Sequence, residues 1–439
     1  MVMGCNKILD QNPLSSLAAT TAFTTGPSIT AGIQGIYNTF QNSSYYGTDY
    51  TLLCDLEADN LDHTGSYPTY EQVKNRAITP DNTNTTGVWN EIYAGINRCN
   101  TIIAAASTIT TGGYDSVPSI AEAKFLRAFM YFDLMRYFGG TPSGYIDPNG
   151  EGVPLVLAPT FSAVEAAPHV RSSAGAVFAQ ILSDLGIAIA NLPSSNNFGQ
   201  ANTNAAIALK ARVELYIGQY DAAAADAETL ISQLGPMNAT GGLDPSYSDQ
   251  YVSKNVQPES IFELNFSNVD QNGLFFYYYG RDEVATSPSL QAAYQPADIR
   301  LPVNYFSFDG TVGTSKYELA DGSNDIMLIR LSEMYLTHAE GVMRGNSPNL
   351  ATAIGDINVV RGRAQETLDT TTSSTQLLAD ILEENRLEFP HECHRWFDLR
   401  RLGLAASTFG ITDTTKVLWP IPQAEVLTSG GVITQNPNY

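Results

Sequence analysis

Basic residues are scarce in this 439-residue chain. Lys and Arg number 23 against 45 Asp and Glu, a net charge of −22. That is the wrong sign for holding a phosphate backbone or an anionic membrane surface, so no nucleic-acid partner is expected. Charged residues of both kinds make up only 15%, while apolar residues reach 43% and aromatics 10%, enough for a large core and too apolar for a disordered chain. No apolar run of about 18 residues is apparent, so no helix is expected to span a bilayer. Cysteine is rare as well. Cys54, Cys99 and Cys393 occur singly, with no CxxC spacing, and read as buried free thiols, a single disulfide among them being left open.

Catalytic and metal signatures are also missing. The chain has no GxSxG, no GxxxxGK[ST] and no glycine fingerprint behind a strand. "HECH" (391–394) falls one residue short of the HExxH spacing that brings two histidines onto one zinc at helical pitch, and no third ligand suggests itself. It reads as a structural cluster at a helix end. "DLEADN" (55–60) starts like a calcium loop but has Asn60 where the sharp turn needs Gly, and Ser66 where the bidentate Glu belongs. No metal, cofactor or enzymatic activity is expected.

What is abundant is helical periodicity, arranged in pairs. "VWNEIYAGINRCNTIIAAAST" (88–108) repeats apolar residues at Ile92, Ile96, Cys99 and Ile103. "AEAKFLRAFMYFDLMRYFGG" is apolar on almost every side, which requires burial between other elements, and should stop at Gly139-Gly140 in a left-handed cap. An amphipathic helix over 175–193 follows. The stretch 204–232 breaks at Gly218-Gln219-Tyr220, with Ala223, Ala224 and Ala227 small enough for close packing, and so resembles one tetratricopeptide unit. Further pairs are predicted over 326–364 and 375–403, the last interrupted at Pro390. The charges from Glu383 to Arg401 (Glu383, Glu384, Arg386, Glu388, Glu392, Arg395, Asp398, Arg400, Arg401) suit interlocking pairs on helix faces. Stacked pairs of this kind build a solenoid-like wall.

Two territories interrupt the wall, from about residue 48 to 86 and from about 235 to 324. Both are rich in Gly, Pro, Asn, Ser, Thr and Tyr, without a long helical period, the composition of loops that carry binding on a rigid scaffold. The second holds "FFYYYGR" (275–281). If that run is extended, Phe275, Tyr277 and Tyr279 share one face and Phe276 and Tyr278 the other. Three consecutive tyrosines argue against simple burial, because each buried phenol needs a hydrogen-bond partner. The first territory holds Tyr67 and Tyr70 in "DHTGSYPTYEQ".

In order along nearly the whole chain, "GCNKILDQNP", "GIQGIYNTF", "WNEIYAGINRCNTII", "EAKFLRAFMYFDLMRYFGG", "GVPLVL", "ALKARVELYIGQYDAA", "PESIFELNF", "DIMLIRLSEMYLTHAE", "INVVRGRA", "ILEENRLEFPHECHRWFDLRR" and "LWPIPQAEV" resemble the SusD/RagB family of bacterial outer-surface lipoproteins. The resemblance implies one mainly-α domain over 1–439: a tetratricopeptide-like scaffold, mainly 88–232 and 325–403, carrying a loop-rich, partly β ligand face. It also implies lipidation at Cys5, residence on the outer face of a Gram-negative outer membrane, and delivery of oligosaccharide, or in one branch oligopeptide, to a SusC-like TonB-dependent transporter. "MVMGC" alone has only the tail of a lipoprotein processing site, without a charged or apolar leader.

Family motifs do not carry the ligand contacts, so these come from chemistry. A sugar ring stacks its C–H face on an aromatic plane and offers hydroxyls around its edge. Tyr277 and Tyr279 are the expected platform, Arg281 the edge donor, and Tyr67 or Tyr70 the facing contribution, with Tyr294 as a further contact. Asp298 and Arg300 of "ADIR" are expected to form a structural ion pair. Peptide capture, a hydrolase with paired carboxylates, and a scaffold whose aromatic face meets the transporter remain competing readings.

Overall fold

The computed structural model describes residues 22–110, 112–161, 167–197, 199–235, 241–252 and 259–439; Cys5 lies outside them. Among the described residues, twelve α-helices have seven residues or more. They are α1 (Gly26–Gln41), α2 (Asp49–Glu57), α3 (Pro68–Lys74), α4 (Thr83–Ala106), α5 (Val117–Phe138) and α6 (Ala174–Asn191), then α7 (Thr203–Tyr216), α8 (Tyr220–Leu234), α9 (Leu331–Arg344), α10 (Leu350–Ala364), α11 (Ser374–Glu388) and α12 (Arg395–Arg401). Polar side-chain caps start several of them. Thr25 and Ser28 form a capping box on α1, and the side chains of Asn82, Asn202, Asn349 and Ser373 accept from first-turn amides of α4, α7, α10 and α11.

The wall follows chain order. α1 packs on α4, α4 on α5, α5 on α6, α6 on α7, α7 on α8, α8 on α9, and α9 on α10 and α11. This is a mainly-α, tetratricopeptide-like architecture. Helix α5 is buried continuously from Phe125 to Phe138, as its all-round apolar sequence requires. Its end differs slightly from expectation: Gly139 is extended and only Gly140 is left-handed, at φ +83°. The α7–α8 turn falls at Gly218, also left-handed. The crossing of α8 and α9 depends on Gly341, where a Cβ would stand 2.9 Å from both Ala224 Cβ and the Tyr220 carbonyl.

Three expectations are corrected. By length and composition α6, with a mean hydropathy of 1.4, is apolar enough to cross a membrane. It is nevertheless a scaffold helix, for it packs on α5 and α7 and its Asp184 is buried in ion pairs with Arg127 and Lys124, 2.8 and 2.9 Å away. The stretch 326–330 is a strand, pairing antiparallel with Ser260–Leu264, because β-branched and apolar residues buried on both sides suit a sheet as well as a helix. The territory near 48–86 holds two short helices, α2 and α3, and the strand β1 (Leu61–His63).

The charged string forms the expected helix pairs at Glu383–Arg386 and Asp398–Arg401, but most of its charges meet distant partners. Glu388 is fully buried and receives Arg300 at 3.0 Å, Arg330 at 2.9 Å and Arg363. Glu259, Glu384 and Glu392 close the network around the same arginines, Lys316 joins at Glu392, and Asp298 pairs with Arg300 at 2.8 Å, the structural pair expected of "ADIR". The three guanidinium groups outweigh the burial penalty and hold the Glu388 carboxyl far below its usual range. The partners lie far apart in sequence, so helical spacing cannot reveal them.

Candidate functional site

Strand β1 pairs antiparallel with β2 (Val284–Thr286), in the register Leu61↔Thr286, Asp62↔Ala285 and His63↔Val284. This short ladder joins the two irregular territories and sets the residues before α3 against those around "FFYYYGR".

The aromatic run is helical, which corrects the extended reading. Phe276–Gly280 forms a π-helical turn, closed by the Arg281 N–H donating to the Phe276 carbonyl at 2.7 Å. Residues two apart then point to opposite sides, so Tyr277 and Tyr279 do not share a face. Tyr278 points inward and is fully buried. Its hydroxyl donates to His391 Nδ1 at 2.7 Å, while His391 Nε2 donates to the Asn304 carbonyl at 3.1 Å. Burial, reinforced by Lys316, pushes His391 down to about 3, so it is the neutral acceptor this bond needs. "HECH" is not a zinc helix, since His391 and Cys393 are both left-handed in a loop and His394 stacks on Phe389 with ring centroids 4.4 Å apart. The three internal cysteines are free and buried.

On one side of the turn, Tyr277 lies parallel to Tyr70, with centroids 5.6 Å apart and planes 11° off, and 6.3 Å from Tyr67. The Arg281 guanidinium sits 3.8 Å above the Tyr67 ring. Glu283, fully buried, holds this arrangement. It accepts from the Tyr67 backbone amide at 2.6 Å, from Arg281 Nε at 2.9 Å, and meets His63 Nε2 at 3.0 Å. Burial pushes its carboxyl up, but these three contacts more than offset that and leave it below the usual range. Gly65 permits the approach, because a Cβ there would lie 2.4 Å from the Glu283 carboxylate carbon. Neither Glu283 nor His63 stands out in the sequence. The carboxylate two residues after Arg281 becomes meaningful only once β1 and β2 pair.

The remaining residues divide by exposure. Tyr67 and Tyr277 are half-buried, and their hydroxyls make no hydrogen bond among the described residues. Tyr70 is fully buried, donating to Asp49 at 2.8 Å, and so backs the Tyr277 ring instead of meeting solvent. Tyr294 lies elsewhere, packed with Leu290 and Leu387, its hydroxyl donating to the Leu387 carbonyl at 2.7 Å and accepting from Asn304. Neither of these two presents a free ring face. Tyr279 belongs to the opposite side of the turn. Its hydroxyl donates to the Thr314 carbonyl at 2.9 Å, and its ring packs with Phe275 and Phe308. Phe276, 53% exposed, flanks Tyr277, and Phe308, 43% exposed, flanks Tyr279; sequence reasoning passed over both as contacts.

The site is thus a loop-built aromatic face carried on a helical-repeat wall, with Arg281 and Glu283 committed to each other. Comparison with known proteins identifies the family. A model of the SusD family matches residues 287–414, and one described as starch-binding and associating with the outer membrane matches residues 7–215. The chain belongs to the SusD family. It is 25% identical to SusD-like protein P2 of Formosa agariphila over 100% of this chain and 97% of that one. Among solved structures, a SusD superfamily protein of Bacteroides thetaiotaomicron superposes with a TM-score of 0.81 at 24% identity, covering 94% of this chain and 99% of that one. Surface glycan-binding protein A of Bacteroides fluxus gives 0.75 at 23% identity, covering 95% and 100%. No catalytic family is among these matches.

Proposed function

We propose that this protein captures oligosaccharide on the face built by Tyr67, Tyr277 and Arg281 and passes it to a TonB-dependent outer-membrane transporter. The observation that carries the reading is a pair of half-exposed tyrosine rings with unengaged hydroxyls, beside an arginine fixed in place by a buried glutamate. The ring faces suit the C–H face of a sugar, and the hydroxyls and guanidinium suit its edge. Fixing these groups in advance lowers the ordering cost of binding. Tyr70 supports Tyr277 from behind. Phe276 extends the platform, whereas Tyr279 with Phe308 lies on the opposite side of the turn and takes no part in it. The glycan-binding name of the Bacteroides fluxus relative accords with the reading.

The whole chain acts as one ligand-binding domain, lipidated at Cys5 and held on the extracellular face of the outer membrane. Its chemistry ends at binding and hand-over.

The test is calorimetric titration of a Cys5→Ala protein with laminarihexaose, maltoheptaose, chitohexaose and mixed oligopeptides, beside a Tyr67→Ala/Tyr277→Ala double variant. Sugar binding that the double variant loses is the expected result. Sugar binding that it retains would remove these residues from the site. Heat from peptides alone would replace oligosaccharide by peptide as the ligand. Co-purification with a TonB-dependent transporter from outer membranes tests the hand-over, and loss of membrane retention in Cys5→Ala tests the anchor.

A further inference from the structure

A cavity of about 560 Å³ lies along α4, between that helix, residues 154–160 and 167–169, and the short helix Gln423–Thr428. Its size falls within the ~300–1,000 Å³ common for small-molecule sites. It is separate from the tyrosine face. Asn84, at the start of α4, reaches back to Asp49, which also binds Tyr70, whereas Tyr93 lies nine residues further along, two and a half turns on and therefore on the opposite side of the helix.

Three polar groups line this cavity without partners among the described residues. The Glu425 carboxylate is half-buried and makes no ion pair or hydrogen bond, and burial raises its pKa. Trp89 lines the cavity, and its indole N–H makes no hydrogen bond among the described residues. The amide of Asn90, at the rim, is likewise free. The wall between them is apolar and well fixed. Trp89 and Tyr93 rings lie 4.8 Å apart, and the Tyr93 hydroxyl donates to the Pro154 carbonyl at 2.9 Å. Among the described residues no lysine or arginine lines the cavity, and its one basic side chain, His169, is exposed, an arrangement poorly suited to an anion. Arg171, nearby, spends its guanidinium on the carbonyls of Gly152, Phe138 and Thr434 and on Asn436.

We infer that this cavity is a second binding site, for a single neutral sugar unit, whose hydroxyls would donate to Glu425 and accept from Trp89 and Asn90 while its ring lies against Tyr93. A protein with two such sites on opposite sides of α4 can hold one glycan at the tyrosine face and another, or a distant part of the same one, at the cavity. The inference depends on the proposed function for the class of ligand only; its residues are independent.

Two substitutions test it, neither of which removes a protein–protein bond. Asn90→Trp blocks the mouth and Glu425→Ala removes the acceptor; each is measured alone and combined with Tyr67→Ala/Tyr277→Ala. The probes are the same three oligosaccharides, read by saturation-transfer NMR and titration calorimetry, with circular dichroism confirming the fold. The expected result is residual sugar binding in the double tyrosine variant that Asn90→Trp or Glu425→Ala weakens about tenfold or more, while Asn90→Trp alone spares the tyrosine-dependent binding. Residual binding indifferent to both cavity substitutions would overturn the inference, as would the absence of any residual binding. Cavity-dependent binding with no tyrosine-dependent component would refute the tyrosine site and leave the cavity standing. No sugar bound by the wild-type protein would overturn both.

Discussion

Replacing Glu57 by glutamine should flatten the dependence of stability on pH. Glu57 ends α2 and is fully buried. One carboxylate oxygen accepts from Trp419 Nε1 at 2.7 Å, and the other has no partner. Burial raises its pKa to about 8 from an ordinary 4.5, against the weaker pull of that bond and of Arg76 and Arg400. Below about pH 4.5 the group is protonated in both folded and unfolded chains and contributes no pH dependence. Between about 4.5 and 8 the unfolded chain releases the proton and the folded one keeps it, so stability falls as pH rises. Each pH unit across that window costs up to ~1.4 kcal/mol, which over roughly 3.5 units is on the order of 3–5 kcal/mol by pH 8. Glutamine cannot ionise. Its amide N–H₂ and the protonated acid both leave a donor at the unpartnered position, so the substitution carries a small offset at every pH. The informative quantity is therefore the slope. Urea unfolding of wild type and Glu57→Gln at pH 5, 6, 7 and 8 should give curves that diverge as pH rises, the variant becoming relatively more stable. A gap of constant size, or one that shrinks toward pH 8, would refute a neutral Glu57 in the folded protein.

Further outcomes follow from other contacts. Glu388→Ala leaves three buried guanidinium groups short of a counter-charge and should cost about 3–5 kcal/mol in denaturant titration, far more than loss of an exposed pair. Tyr278→Phe removes the donor to His391 Nδ1 and should cost about 1–3 kcal/mol, visible as a lower midpoint with an unchanged circular dichroism spectrum. Gly65→Ala drives a methyl into Glu283. It should lose about 1–3 kcal/mol of stability and weaken any sugar binding that depends on Tyr67, because the clamp on that tyrosine's amide is displaced.

The scaffold was largely legible because its signals are local. A 3.6-residue period marks α4, an all-round apolar run ending in glycines marks α5, and a left-handed glycine marks the α7–α8 turn. What escaped was set by distant partners. Aromatic residues favour strands in isolation, yet "FFYYYGR" coils because Tyr278 must reach His391, 113 positions away. "IMLIR" was indistinguishable from a buried helix until Ser260–Leu264 lay beside it. Glu388 carried the expected charge, but nothing near it in sequence names Arg300 or Arg330 as its partners. The proximity of Tyr67 to Tyr277 depends on a ladder three residues long, too short to leave a pattern.

The distances bridged by that ladder and its neighbours bear on the order of events after synthesis. Tyr67 reaches Glu283 across 216 positions, Asp55 reaches His391 across 336, and Glu57 reaches Trp419 across 362. Loop-closure entropy grows only logarithmically, about 0.6 kcal/mol for each doubling of length, so such separations cost little at equilibrium. They cost time, because folding slows as contacts become less local. The helical wall can accumulate pair by pair as the chain emerges, while the tyrosine face must wait for the C-terminal segment that closes beneath it. Throughout that interval the α2–α3 region, with its tyrosines and buried carboxylates, has no lid of its own. It is the part of the molecule most in need of protection before the chain is complete.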